Sequence, residues 1–192
     1  GQSTAVVNSL SSYTTLTRTA SVASGRLDLI SFNVDPLLDA DQEISSMLGD
    51  IKGIVAVCQD DVGNYWMPGA DINQIGMVDL KKGYQVYHSA GTAQNIHYEG
   101  SRLVPGEYTH SFNSGRFFMV GFPYQTNQTA EDVFGSLGSD LVVLQDESNG
   151  TYWIPQYNIN DIDKNGGLQP GRGYKIYVDA TVDFTYPTLP DG

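Results

Sequence analysis

Cysteine is almost missing: Cys58 stands alone among 192 residues, which excludes an intrachain disulfide and a thiolate metal cluster. Basic residues are scarce too. Ten Lys and Arg face 22 Asp and Glu, a formal net charge of −12, so the basic patch that binds nucleic acid or an anionic membrane is hard to assemble. No apolar run approaches the roughly 20 residues of a membrane-spanning helix. No Gly-x-Ser-x-Gly elbow, phosphate loop or His-Glu-x-x-His segment occurs, and no catalytic constellation emerges. We therefore expect no nucleic-acid partner, no membrane insertion and no enzyme. What is plentiful is glycine (21), tyrosine (12) and a hydrophobic fraction of 40%, enough for a packed core.

The chain starts at Gly1 without a basic, then apolar, signal segment. Both ends read as cut, from a mature product or a longer polypeptide. Residues 1–25 are rich in Ser and Thr. They read as a leader or linker, or as an extended strand that covers an edge or is donated to a neighbour, since Tyr13-Thr14-Thr15-Leu16-Thr17-Arg18-Thr19 has high β-propensity.

The organising feature is an internal repeat. Leu29-Ile30-Ser31-Phe32 aligns with Met119-Val120-Gly121-Phe122, and Ser46-Met47-Leu48-Gly49 with Ser136-Leu137-Gly138. Val55-Ala56-Val57-Cys58-Gln59-Asp60 aligns with Val142-Val143-Leu144-Gln145-Asp146. Gly63-Asn64-Tyr65-Trp66-Met67-Pro68 aligns with Gly150-Thr151-Tyr152-Trp153-Ile154-Pro155, and Ile72-Asn73-Gln74-Ile75 with Ile159-Asn160-Asp161-Ile162. Lys82-Gly83-Tyr84-Gln85-Val86-Tyr87 closes the first copy and Arg172-Gly173-Tyr174-Lys175-Ile176-Tyr177 the second. The order implies a duplication, with units at 26–103 and 116–187, a connector at 104–115 and a tail at 188–192.

Each unit reads as strand, short helix, then several strands. Asp39–Leu48 carries early acids and then Ile44, Met47 and Leu48 at helical spacing. In the second copy Thr129 is an expected N-cap, with Glu131 and Asp132 in the first turn. Gly49 and Gly138 sit where a helix end favours positive φ. Ile54–Cys58 and Leu141–Leu144 are continuous apolar runs expected of buried central strands, each followed by a turn and a Tyr-Trp-x-Pro strand. Last strands are expected at Asn95–Tyr98 and Val182–Tyr186. The predicted class is α+β, mostly β: two homologous small units packed as a tandem pseudo-symmetric repeat, since 70–80 residues is small for a self-sufficient core.

The blocks Leu29-Ile30-Ser31-Phe32-Asn33-Val34-x-Pro36, Gly63-Asn64-Tyr65-Trp66-x-Pro68, Ile72-Asn73-x-Ile75-Gly76 and Leu168-Gln169-Pro170-Gly171-x-Gly173-Tyr174-x-Ile176 resemble tandem modules of large secreted and cell-surface proteins of Bacteroidetes and related marine bacteria. Those modules open on "WNLIS…" and close on "PGxGYxI". The likeness covers about 26–187. It departs at Arg26-Leu27-Asp28 and Arg116-Phe117-Phe118, where such modules usually carry Gly-Trp-Asn. It implies an accessory, non-catalytic part of an exported protein and carries over no active site.

Three groups of residues invite a functional reading. Tyr65-Trp66 and Tyr152-Trp153 are candidates for stacking on a glycan ring, or else core residues of the repeat; neighbours on a strand face opposite ways, so one ring of each pair can be exposed. Asp161, Asp163 and Asn165 open like a calcium loop, but the twelfth position is Arg172 rather than a bidentate Glu, and an Asn-Gly-Gly turn also accounts for the stretch. His88, His97 and His110 fit no metal spacing and are expected at a surface or interface. Cys58 reads as a buried, inert thiol. No cofactor is expected unless calcium binds. The function expected is a non-catalytic extracellular or cell-surface structural or adhesive module. It would be a subunit of a surface or filament assembly, partnered by copies of itself or by neighbouring domains of a larger surface protein. A carbohydrate-binding module is the alternative, and a virion coat or fibre protein a further one.

Overall fold

The computed structural model describes residues 16–190. Residues 1–15, with the expected strand positions Tyr13, Thr14 and Thr15, lie outside the described residues, as do Asp191 and Gly192. The first half contains β1 (Leu16–Val22), β2 (Asp28–Ile30), β3 (Val34–Asp35), α1 (Ile44–Met47), β4 (Val55–Gln59), β5 (Tyr65–Met67), β6 (Ile72–Asn73), β7 (Tyr84–His88) and β8 (Gln94–Arg102). The second contains β9 (Thr109–Phe112), β10 (Phe117–Val120), α2 (Ala130–Phe134), β11 (Leu141–Asp146), β12 (Thr151–Ile154), β13 (Ile159–Asn160), α3 (Asp161–Lys164), β14 (Tyr174–Val178) and β15 (Val182–Thr185). The chain is mostly β with short helices.

Two five-stranded antiparallel sheets carry the fold, in the orders β2-β7-β4-β5-β6 and β10-β14-β11-β12-β13. A smaller sheet accompanies each: β1-β8-β3 in the first half and β15-β9 in the second. One core gathers Phe32, Trp66, Tyr84 and Ile96, and the other Phe122, Phe134, Trp153 and Phe184. Tyr108 packs against both. β1 belongs to the segment expected as leader, yet it pairs along its whole length with β8, from Leu16 opposite Gly100 to Val22 opposite Gln94. β9 likewise falls in the expected connector and pairs with β15, Phe112 opposite Val182. Val22 precedes Asp28 by the same number of residues as Phe112 precedes Phe118. Leader and connector thus each supply a strand over the local core.

The halves meet through a strand crossing. Gly173 N donates to Leu29 O and Gly83 N to Met119 O, both at 3.0 Å; Ser31 N donates to Gly171 O (3.0 Å) and Gly121 N to Lys81 O (2.7 Å). The chain entering β14 therefore runs first along β2 and only then along β10, while the chain entering β7 runs first along β10 and then along β2. Two backbones must pass each other at Gly83 and Gly173. A Cβ on Gly173 would stand 2.8 Å from Ile30 O and 3.1 Å from Gly83 Cα, so the glycine of the Gly-Tyr motif is a packing requirement. The tyrosine beside it locks the preceding turn: Tyr84 OH accepts from Asp79 N at 2.7 Å, and Tyr174 OH from Gln169 N at 2.6 Å.

Some local expectations change. Asp39–Leu48 is not one helix. A 3₁₀ turn at Asp39–Gln42 ends at Glu43, whose backbone is extended (φ −62, ψ 140) because it bridges to Met77 and Ile44 N donates to Gly76 O. α2 starts as expected: Thr129 Oγ1 accepts from Asp132 N at 2.9 Å. Gly138 has φ 54, but Gly49 is not among the positive-φ glycines. The apolar runs of β4 and β11 are not buried on both faces. Val55, Cys58, Leu141 and Leu144 are buried while Ala56 is exposed and Val142 half-buried, with a register shift between Val55 and Val57 and another between Leu141 and Val143. A sheet covered on one side needs only one apolar face.

Candidate functional site

The Tyr-Trp pairs divide as strand alternation requires. Trp66 lies opposite Cys58 and Trp153 opposite Leu144, inside the two cores, 3% and 9% exposed. The tryptophans are thus core residues with no face left for a ligand. Tyr65 is half-buried on the other side of its sheet and Tyr152 is 40% exposed. Sequence reasoning missed Tyr157, the most exposed ring among the described residues at 67%. It ends a 3₁₀ turn, Pro155–Tyr157, where no strand alternation marks it.

Asp161, Asp163 and Asn165 do not converge. Asp161 and Asp163 belong to α3, a single turn capped by Asn160, whose Oδ1 accepts from Asp163 N at 3.0 Å. Asp163 Oδ1 accepts from Ala130 N (2.6 Å) and its Oδ2 from Asn160 Nδ2 (2.5 Å). Asp161 pairs with Lys164 at 3.0 Å, and Asn165 Nδ2 donates to the Asp161 carbonyl at 2.7 Å. A helical turn aims these groups at separate partners instead of wrapping them around one centre. Among the described residues no group of three or more His, Cys, Asp or Glu is placed to hold a metal ion.

The histidines also separate. His97 is exposed, its Nδ1 2.8 Å from Asp50 Oδ2. His88 is not at a surface: it is fully buried, and its Nε2 donates to Val22 O at 3.0 Å. The strand from the expected leader covers it. Cys58 is buried, and burial pushes its thiol well above the usual range.

Two clefts open beside the crossing. The first, about 140 Å³, is lined by Arg26, Asp28, Ser148 and Arg172 among others. Its polar groups satisfy one another. Arg26 Nη2 donates to Ser148 O at 2.6 Å, Ser148 Oγ donates to Asp28 Oδ1, and Asp28 Oδ2 accepts from Ala23 N at 2.8 Å. Arg172 Nη1 donates to Asp146 Oδ2 at 3.3 Å. The second cleft, about 190 Å³, is lined by Asp61, Lys82, His110, Arg116 and Phe118, with Asp79 and Lys81. Arg116 occupies the place of Arg26: its Nη1 reaches the Asp61 carbonyl at 3.4 Å and Asp61 Oδ2 at 3.5 Å. Its guanidinium carbon sits 3.8 Å from the centre of the Phe118 ring. The arginines that replace the expected Gly-Trp-Asn opening thus reach across to the hairpin turn of the other half.

In the second cleft Asp61 lies between two cations. Asp61 has a side chain only 6% exposed, and Lys82 Nζ is 3.4 Å from its Oδ1. That oxygen and His110 Nε2 are nonetheless buried without a hydrogen-bond partner among the described residues. His110 stacks on Phe112 (centroids 5.1 Å apart, planes 13°) and meets the edge of Tyr186. Burial holds its imidazole down to about 4, so at neutral pH it is uncharged and offers one donor and one acceptor. Among the described residues no helix is long and apolar enough to cross a membrane. Comparison of the chain with family models, with curated proteins and with solved structures finds no match.

Proposed function

We propose that the chain is a non-catalytic extracellular or cell-surface module, a structural or adhesive part of a surface or filament assembly. In this reading its two units descend from one duplicated ancestor and pack about a pseudo-two-fold axis that passes between Gly83 and Gly173. The reciprocity of the seam supports this most directly. Leu29 receives Gly173 as Met119 receives Gly83, and Ser31 meets Gly171 as Gly121 meets Lys81, which is the signature of an isologous contact. Backbone bonds across such a seam make one stiff body from two small units, as a load-bearing module needs. The likeness to exported tandem modules points the same way.

The test is assembly. Because β1 belongs to the first unit, removing 1–25 would unfold it, and the informative truncation is 1–15. We expect the full chain to assemble with rising concentration in sedimentation velocity and electron micrographs, and the truncated chain to stay dispersed. A full chain that remains monomeric at every concentration tested counts against assembly through this segment. Glycan binding remains the second reading, now resting on Tyr152, Tyr157 and half-buried Tyr65 rather than on the tryptophans; a glycan array that Tyr152→Ala leaves unchanged removes that face.

A further inference from the structure

An asparagine followed by glycine loses its side-chain amide readily, because the glycine nitrogen reaches the asparagine Cγ with no side chain in its way. The sequence has two such pairs, Asn149-Gly150 and Asn165-Gly166, and all four residues are exposed. The fold treats their backbone nitrogens differently. Gly166 N donates to Asp163 O at 3.2 Å, and a Cβ on Gly166 would meet Gln169 Nε2 at 3.7 Å. Gly150 N has no hydrogen-bond partner among the described residues, and a Cβ there would meet nothing within 4 Å. Both side-chain amides are held, Asn149 Nδ2 by Asp146 Oδ2 at 3.0 Å and Asn165 Nδ2 by the Asp161 carbonyl at 2.7 Å. The backbone nitrogen therefore makes the difference. The hairpin of the first half supplies an internal control: Asn64 Nδ2 donates to Asp60 Oδ2 at 2.9 Å in the same manner, but the residue after it is Tyr65.

We propose that Asn149 is a site of spontaneous deamidation in the folded chain, and that the change loosens the seam between the halves. Gly150 N bonds to Asn149 Cγ, the Cγ–Nδ2 bond breaks, and ammonia leaves with the hydrogen that Gly150 N gives up. Water then opens the cyclic imide, its hydroxyl going to a carbonyl carbon and its hydrogen back to Gly150 N. Opening at Cγ leaves aspartate; opening at the main-chain carbonyl leaves isoaspartate, with the backbone rerouted through the side chain. Nothing is oxidised or reduced. Either product replaces a donor by a carboxylate beside Asp146, whose side chain is only 2% exposed and accepts from Asn149 Nδ2 and Asn149 N. Two carboxylates so placed repel each other. The same hairpin ties the halves together: Glu147 accepts from Gln85 and Lys175, the Ser148 carbonyl from Arg26, and Ser148 Oγ donates to Asp28. Displacing it strains contacts across the seam.

The experiment ages the full chain in warm, mildly alkaline buffer, once folded and once unfolded in urea, and maps its peptides by mass spectrometry at intervals. In the folded chain Asn149 should convert about fivefold faster than Asn165, the kinetic equivalent of one backbone hydrogen bond of about 1 kcal/mol, while Asn64 stays an amide. In urea the two Asn-Gly sites should convert at similar rates. Asn149→Asp should lower the thermal midpoint, as should ageing of the parent chain, whereas Asn149→Gln should keep its midpoint on ageing. Asn165 converting as fast as Asn149 in the folded chain overturns the site, and so does an Asn149 that converts in urea but stays intact when folded. A thermal midpoint that Asn149→Asp leaves at the parent value overturns the link to the seam.

Discussion

Replacing Gly173 by alanine places a methyl group where two backbones cross. The new Cβ would lie 2.8 Å from Ile30 O, 3.0 Å from Leu29 Cγ and 3.1 Å from Gly83 Cα. Two of these neighbours are backbone and cannot rotate away. Relief requires the strands to part, straining the bond from Gly173 N to Leu29 O. Overpacking of this kind costs about 1–3 kcal/mol, and a weakened hydrogen bond adds about 1. The stiffer unfolded chain returns about 0.4–1 kcal/mol, leaving a net loss of about 1–3.5 kcal/mol. Gly83→Ala should cost less, because its nearest atoms are Leu29 Cδ1 and Val120 O at 3.1 Å, then Gly173 Cα at 3.4 Å. Gly121→Ala should fall between, with Leu80 O at 2.9 Å. Gly53, with nothing within 4 Å, is the control and should be neutral or slightly stabilised. Urea unfolding followed by tryptophan fluorescence orders the four. If Gly173→Ala unfolds at the midpoint of Gly53→Ala, the backbones do not cross there and the seam described above is wrong.

Acid should weaken the fold through His110. Its folded value of about 4 lies below the ordinary 6.5, so the unfolded chain takes the proton first. This contribution is intact above about pH 6.5 and falls by about 3 kcal/mol as the pH drops to about 4; a stability–pH slope that His110→Phe leaves unaltered across that window refutes it. Trp66→Ala removes a ring 3% exposed and should cost about 3–5 kcal/mol, while Tyr65→Ala costs much less; equal thermal midpoints would contradict the assignment of the tryptophan to the core. Thr129→Ala should cost about 1 kcal/mol by uncapping α2, an effect that chemical denaturation resolves and that a midpoint unchanged from the parent chain would exclude.

Much of each half was legible along the chain because its signals are local. The aligned blocks beginning at Leu29 and Met119, at Val55 and Val142, and at Tyr84 and Tyr174 fall in corresponding strands of two sheets with the same order. Thr129 was readable as a cap because capping acts over three residues. The break at Glu43 was not, since helical spacing continues through it and only the distant partners Gly76 and Met77 pull the backbone straight. Burial of His88 was likewise invisible: the strand that covers it lies 66 residues away in a segment whose Ser/Thr content reads as linker.

By itself, then, the sequence determined the class, the recurrence of one pattern, the turns and the acidic net charge, all consequences of composition or of interactions spanning a few residues. Only the tertiary structure decided that backbones cross at Gly83 and Gly173, that Arg26 and Arg116 reach the opposite hairpins, and that Asp61 is buried between Lys82 and Arg116. Those features join residues far apart in the chain, and whether a buried carboxylate is satisfied depends on what packing brings to it. The scarcity of cysteine fits the same division, for the halves are held by reciprocal backbone bonds that leave no mark in composition.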